Sequence, residues 1–168
     1  IGMVRAFNLF CGLLDDRAFL VRDFAFDPEE AVAYLQHWAD RQTRHVFGPP
    51  FAINRLLRHL EERDLRLELD PGSLVITLGG WKRFNRERIS RESFEQKLET
   101  YLGVKSANVR DMYGLIESNV LAIECEHHRK HVPPWAHVTV RNVQDFSSEL
   151  PVGQVGAIGL LDALSHSY

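Results

Sequence analysis

The sequence predicts an α/β fold, a layered sheet flanked by helices. Three observations predict it. Apolar residues recur at helical spacing in three segments. The short run "LVITL" closes on a glycine pair between the second and third of them, and four strand-like pieces fill the last third with little helix between them. Composition agrees: 168 residues with 45% hydrophobic and 26% charged side chains can build one domain with a real core.

The first helix is read from "DPEEAVAYLQHWADRQ", where Asp27 suits the N-cap, Pro28 the first helical position, and Glu29 and Glu30 the positive end of the helix dipole. Ala31, Leu35 and Trp38 form its apolar stripe. "HVFGPP" breaks the chain before a second helix, whose face is Ile53, Leu56, Leu57 and Leu60. "DPGSLVITLGG" reads as a Pro-Gly turn, a buried strand and a tight loop. The third helix runs from about Ser90 to Leu102, with Phe94, Leu98, Tyr101 and Leu102 inward and Gly103 as its stop. Then come "NVRDMYG", "VLAIECE", "HVTVRNV" and "VGAIGLLD", expected to form an antiparallel or meandering edge to the same sheet. With no repeat, low-complexity tract or linker, residues 1–168 read as a single α/β domain or a fragment of one.

Twenty basic and 23 acidic side chains leave a formal charge of −3, which disfavours nucleic acid as a partner. No apolar run approaches the ~18 residues of a membrane span, and no signal peptide opens the chain. Two cysteines, Cys11 and Cys125, are too few for a disulfide framework; the expected location is cytoplasmic. The opening at Ile1 and the close on "LSHSY" read as cut edges of something longer, and oligomeric state is not legible.

In open α/β sheets, ligands bind beyond the carboxyl ends of strands, where loops project main-chain and polar groups over a rigid platform. Two loops qualify. In Gly79-Gly80-Trp81-Lys82 the missing side chains let a flat ring or phosphate approach the backbone, and Lys82 can reach a carboxylate or phosphate. In "DMYGLIES", Asp111 to Ser118, an aromatic ring at Tyr113 can stack on a base beside Gly114, and the carboxylate of Glu117 can hold a divalent metal on phosphate oxygens. Together they describe a purine slot.

The succession "TLGGWKRF", helix, "DMYGLIES", "IECEHHRKHVPPWAHVTVRN" and "ELPVGQVGAIGLLDALSHSY" resembles the adenylate-forming enzymes, most closely the acyl-protein synthetase (LuxE-type) branch, with phenylacetate-CoA ligases as near relatives. The resemblance spans about half the chain, from Thr77 onward, and implies part of a large N-terminal domain. It implies that Gly79, Gly80, Trp81, Asp111, Tyr113 and Gly114 bind ATP, and that Glu117 holds Mg²⁺ and acts in catalysis with Lys82. It further implies activation of a carboxylic acid, with a fatty acid the first expectation, as an acyl-adenylate, and transfer to an enzyme cysteine and onward to a partner reductase, with CoA or a carrier protein left open as acceptor. The sequence departs from the family at Ile116, where a threonine is common. It also lacks the upstream Ser/Thr/Gly-rich phosphate loop, the downstream ribose-binding aspartate and the lysine-bearing C-terminal domain, so the chain alone is not expected to complete adenylation. A phenylacetate-CoA ligase-like activity is the alternative enzyme.

Three further features carry expectations. Cys125, His127, His128 and His131 offer four donors within seven residues, a set open to structural Zn²⁺ or to a polar loop with a buried thiol. A zinc-bearing or partner-binding module without catalysis is the corresponding non-enzymatic reading. Lys82, Arg83, Arg86, Arg88 and Arg91 crowd the start of the third helix and read as a solvated helix start. Phe7, Phe10, Phe24, Phe26 and Phe47 are open to an acyl tunnel or to ordinary core.

Overall fold

The computed structural model describes residues 12, 14, 16–23, 25–114 and 120–163. In chain order these form the short hairpin β1 (Val21–Arg22) and β2 (Ala25–Phe26), helix α1 (Pro28–His37), β3 (Val46–Gly48), α2 (Pro50–Glu62), β4 (Val75–Leu78), α3 (Arg91–Leu102), β5 (Val109–Gly114), β6 (Leu121–Glu124), β7 (Lys130–His131), β8 (Ala136–Arg141) and β9 (Ala157–Asp162). Two 3₁₀ turns, Lys82–Glu87 and Ser106–Asn108, flank α3.

Side-chain caps open α1 and α3, whereas α2 starts at Pro49-Pro50 with no side-chain cap. Asp27 Oδ1 accepts from the Glu29 N–H at 2.9 Å, and Ser90 Oγ accepts from the Ser93 N–H at 3.1 Å. Gly103 closes α3 in the left-handed region at φ 68°, which a side chain would oppose. Arg44, with a side chain only 8% exposed, ties the end of α1 to the loop before β4. Its guanidinium donates to the carbonyls of Leu35 and Glu68 and to Asp70 Oδ2 at 3.1, 2.6 and 3.0 Å.

Five strands make the central sheet in the order β3-β4-β5-β6-β7. β3, β4 and β5 run parallel, joined through α2 and α3; β6 and β7 add on antiparallel. Leu57, Leu60, Val75, Leu98 and Leu102 are completely buried between sheet and helices, and Leu35, Ile53, Phe94 and Val109 extend that core. No helix among the described residues is long and apolar enough to cross a membrane.

Two expectations need correction. "HVFGPP" is more than a breaker, because its Val46–Gly48 forms the parallel edge strand β3 on β4. The last strand-like pieces do not all join the central sheet: β8 and β9 pair only with each other, as a separate two-stranded sheet.

Candidate functional site

β4 and β5 are parallel neighbours, and Leu78 lies opposite Met112 in their register. The next residue on each strand is therefore Gly79 on one and Tyr113 on the other, and both loops leave the sheet at one edge, the carboxyl end. β3 reaches the same edge, since Gly48 pairs with Thr77.

Gly79 and Gly80 adopt φ of 83° and 64°, a left-handed pair that only glycine takes without strain, and both are exposed. A methyl on Gly80 would meet nothing within 4 Å, so the approach to the backbone there is open. A methyl on Gly79 would stand 3.7 Å from Lys82 Cε, so the lysine stem lies back across the turn. Lys82 itself holds φ 48°, rare for a residue with a side chain, and is exposed. Trp81 is half-buried beside it, and Tyr113 is 38% exposed on the neighbouring strand. Gly114 pairs with Leu121 at the end of β5.

Asp111 is more tightly held than its sequence context suggests. Oδ1 accepts from Thr77 Oγ1 at 2.7 Å, and Oδ2 sits 2.7 Å from Lys130 Nζ. Its main-chain N–H donates to Glu124 Oε2 at 3.0 Å. Glu124, 3% exposed, also receives Arg91 through Nη1 and Nη2 at 3.1 and 2.8 Å and Lys130 Nζ at 3.0 Å. Burial alone would raise the Glu124 carboxyl, but the donors from Arg91, Lys130 and Asp111 outweigh it and hold the group at about 2. The same pairing with Glu124 raises Arg91 above its ordinary value. Arg91, still partly exposed, is therefore an ion-paired anchor between α3 and the sheet as well as a member of the basic helix start. Its neighbour Glu87 pairs with Arg55, whose guanidinium stacks 4.6 Å from the Phe84 ring, so the 3₁₀ turn after the diglycine is pinned to α2.

The four soft donors do not assemble, and the zinc expectation is not supported. Among the described residues no group of three or more His, Cys, Asp and Glu side chains could hold a metal ion. The reason is the tight turn between β6 and β7, which leaves Cys125 with His131 and turns His127 and His128 elsewhere. Cys125 bonds to His131, and that contact first, with main-chain donors, lowers the thiol below its ordinary value. His128, at φ 57°, turns instead to Ser106 and Arg91, and His127 is exposed beside Glu126. Glu117, with Ile116 and Ser118, lies outside the described residues.

Of the phenylalanines considered for an acyl tunnel, Phe26 and Phe47 line a cavity of about 570 Å³ with Leu35, Trp38, Ile53 and Leu56, between α1, β3 and α2. Phe7, Phe10 and Phe24 lie outside the described residues.

The family model of acyl-protein synthetase, LuxE, matches residues 18–168. The chain belongs to the LuxE acyl-protein synthetase family. It is 29% identical over 160 residues to a long-chain-fatty-acid–luciferin-component ligase of Aliivibrio fischeri, covering 93% of this chain and 42% of that protein. It is also 29% identical over 158 residues to the Vibrio harveyi protein of the same name, with the same coverage. The LuxE-family chain thus spans about two fifths of the length of these curated relatives. Its fold is shared with a long-chain-fatty-acid-CoA ligase from Archaeoglobus fulgidus, at TM-score 0.59 and 16% identity over 82% of this chain and 28% of that one. An amide bond synthetase from Marinactinospora thermotolerans matches at TM-score 0.54 and 19% identity, over 83% and 26% of the two chains.

Proposed function

We propose that the protein to which this chain belongs activates a long-chain fatty acid with ATP and passes the acyl group to a thiol. The single observation that carries the reading is the register at the carboxyl edge: an open left-handed diglycine on β4 and a half-exposed tyrosine on β5 leave adjacent parallel strands side by side. That edge is where open α/β sheets take ligands. Family membership supplies the chemistry, and the long-chain substrate follows the names of the curated relatives.

On this reading the backbone of Gly79 and Gly80 and the ring of Tyr113 enclose the adenine, with Trp81, Asp111 and Gly114 around it. Lys82 lies over the turn with its ammonium near the substrate carboxylate or the phosphates. Glu117 is the acid for Mg²⁺, which needs only one or two carboxylates besides phosphate oxygens and supplies charge neutralisation on the triphosphate. A carboxylate is a poor electrophile. Its oxygen therefore attacks the α-phosphorus, the bond to pyrophosphate breaks, and the resulting mixed anhydride carries AMP as leaving group. A thiolate then attacks the carbonyl and AMP departs. The cavity beside β3, within the ~300–1,000 Å³ range of small-molecule pockets, is the candidate for the acyl chain.

The test is exchange of labelled pyrophosphate into ATP by the full-length protein. Exchange that depends on a long-chain fatty acid is expected; none with any fatty or aromatic acid, in folded protein with Mg²⁺, overturns the proposal. Whether coenzyme A or a protein thiol receives the label from radioactive acid separates this activity from the phenylacetate-CoA ligase-like alternative.

A further inference from the structure

Val120, Ala122 and Glu124 are the buried residues of their segment, while Ile123 between the last two is 39% exposed. A strand that puts its acid inward and an isoleucine outward has inverted the usual preference, and a buried carboxylate costs several kcal/mol unless donors surround it. Those donors come from three elements: Arg91 in the first turn of α3, Lys130 on β7, and the Asp111 N–H on β5.

Lys130 does more than complete the set. Its ammonium lies 3.0 Å from Glu124 and 2.7 Å from Asp111, so one cation bridges a buried acid and a half-exposed one two residues before Tyr113. Thr77 holds the other oxygen of Asp111 from β4. Without Lys130, Asp111 would present an unpaired negative charge at the edge where a triphosphate must come, and like charges in a half-buried site repel more than they do in water.

A nucleophilic role for the adjacent Ser106–His128–Glu124 group is excluded by its hydrogen-bond directions. Arg91 can only donate, so His128 Nδ1, 2.7 Å from Arg91 Nη2, accepts, and the ring proton sits on Nε2. Nε2 therefore donates to Ser106 Oγ at 2.9 Å, and the serine hydroxyl donates to Glu95 at 2.6 Å. His128 cannot take a proton from Ser106; the run is a brace between α3 and the β6–β7 turn.

We propose that Lys130 is a positioning residue for nucleotide binding, acting through Asp111, which it neutralises and fixes at the carboxyl end of β5. This rests on the nucleotide reading of the site given above. It is tested in the full-length protein with Lys130→Met, Lys130→Arg and Arg91→Met, by calorimetric titration with ATP and Mg²⁺ and by exchange kinetics. The methionine variant at Lys130 is expected to raise both Kd and KM for ATP about tenfold, about 1.4 kcal/mol, with kcat within about twofold of the parent. Arginine should restore most of the affinity. Arg91→Met should lower Tm without that rise. An unchanged ATP affinity in Lys130→Met, failure of arginine to restore it, or an equal rise in Arg91→Met would each overturn the proposal. If the parent binds ATP but shows no exchange, the activity reading falls and the titration alone decides Lys130; if the parent binds no ATP, both fall.

Discussion

The central sheet and the β8–β9 hairpin respond differently to the same kind of sequence. Both contain short strands rich in Val, Ile and Leu. In the central sheet, α2 and α3 cover the strands, and Val75, Leu57 and Leu98 are fully buried. In the hairpin, Val138 faces Leu160 and Val140 faces Ile158 across the ladder, yet Ile158 is 54% and Leu161 66% exposed. A short β-branched and apolar run predicts that a strand forms; only a second layer converts its apolar face into core, and two strands alone are marginal. Stability is therefore concentrated in the central sheet and the three helices packed on it, and the candidate site is built on that part of the molecule.

The sharpest way to break this contrast is a core truncation. Leu57→Ala or Leu98→Ala in the full-length protein should lower unfolding free energy by about 3–5 kcal/mol in urea titration, since both side chains are fully buried and their removal leaves a cavity. Glu124→Ala should cost about 3 kcal/mol by the same measurement, because it strands the partners of a buried acid. It should also change the acid limb. Glu124 is held at about 2 against an ordinary 4.5, so its contribution is complete above pH 4.5 and is lost as pH falls through about 2. The variant should lose that part of the pH dependence, and an unchanged acid profile would show that the clasp contributes nothing. Ser90→Ala removes the cap of α3 and should cost about 1 kcal/mol. Leu161→Ser on the hairpin should stay within about 0.5 kcal/mol; a larger loss would mean the hairpin shares the core after all.

The sequence shows the three helices well because each has an apolar stripe, joined in α3 by the cap at Ser90 and the stop at Gly103. It shows the diglycine loop because that follows an apolar run, and the tyrosine loop because an aromatic-glycine pair closes a strand-like piece. β3 was hidden: three residues before Pro-Pro have no period of their own, and their strand character comes from pairing with β4. β7 was hidden because Lys130–His131 is a charged edge strand, whose exposure tolerates such residues. The clasp had one available signal. Glu124 stands in phase with Val120 and Ala122, and an acid on an apolar face requires a basic partner; that the partner is Arg91, 33 residues earlier, is fixed only by packing. That His127 and His128 turn away from Cys125 and His131 could not be read from spacing, because the turn geometry decides where each side chain points.

The central claim is that the two loops at the carboxyl edge of β4 and β5 share one nucleotide. Photolabelling the full-length protein with an azido-adenosine triphosphate, followed by peptide mapping, tests it most directly. The account predicts label on peptides carrying Gly79–Lys82 and on those carrying Asp111–Gly114, both suppressed by excess ATP. Label suppressed by ATP but confined to other segments would contradict it.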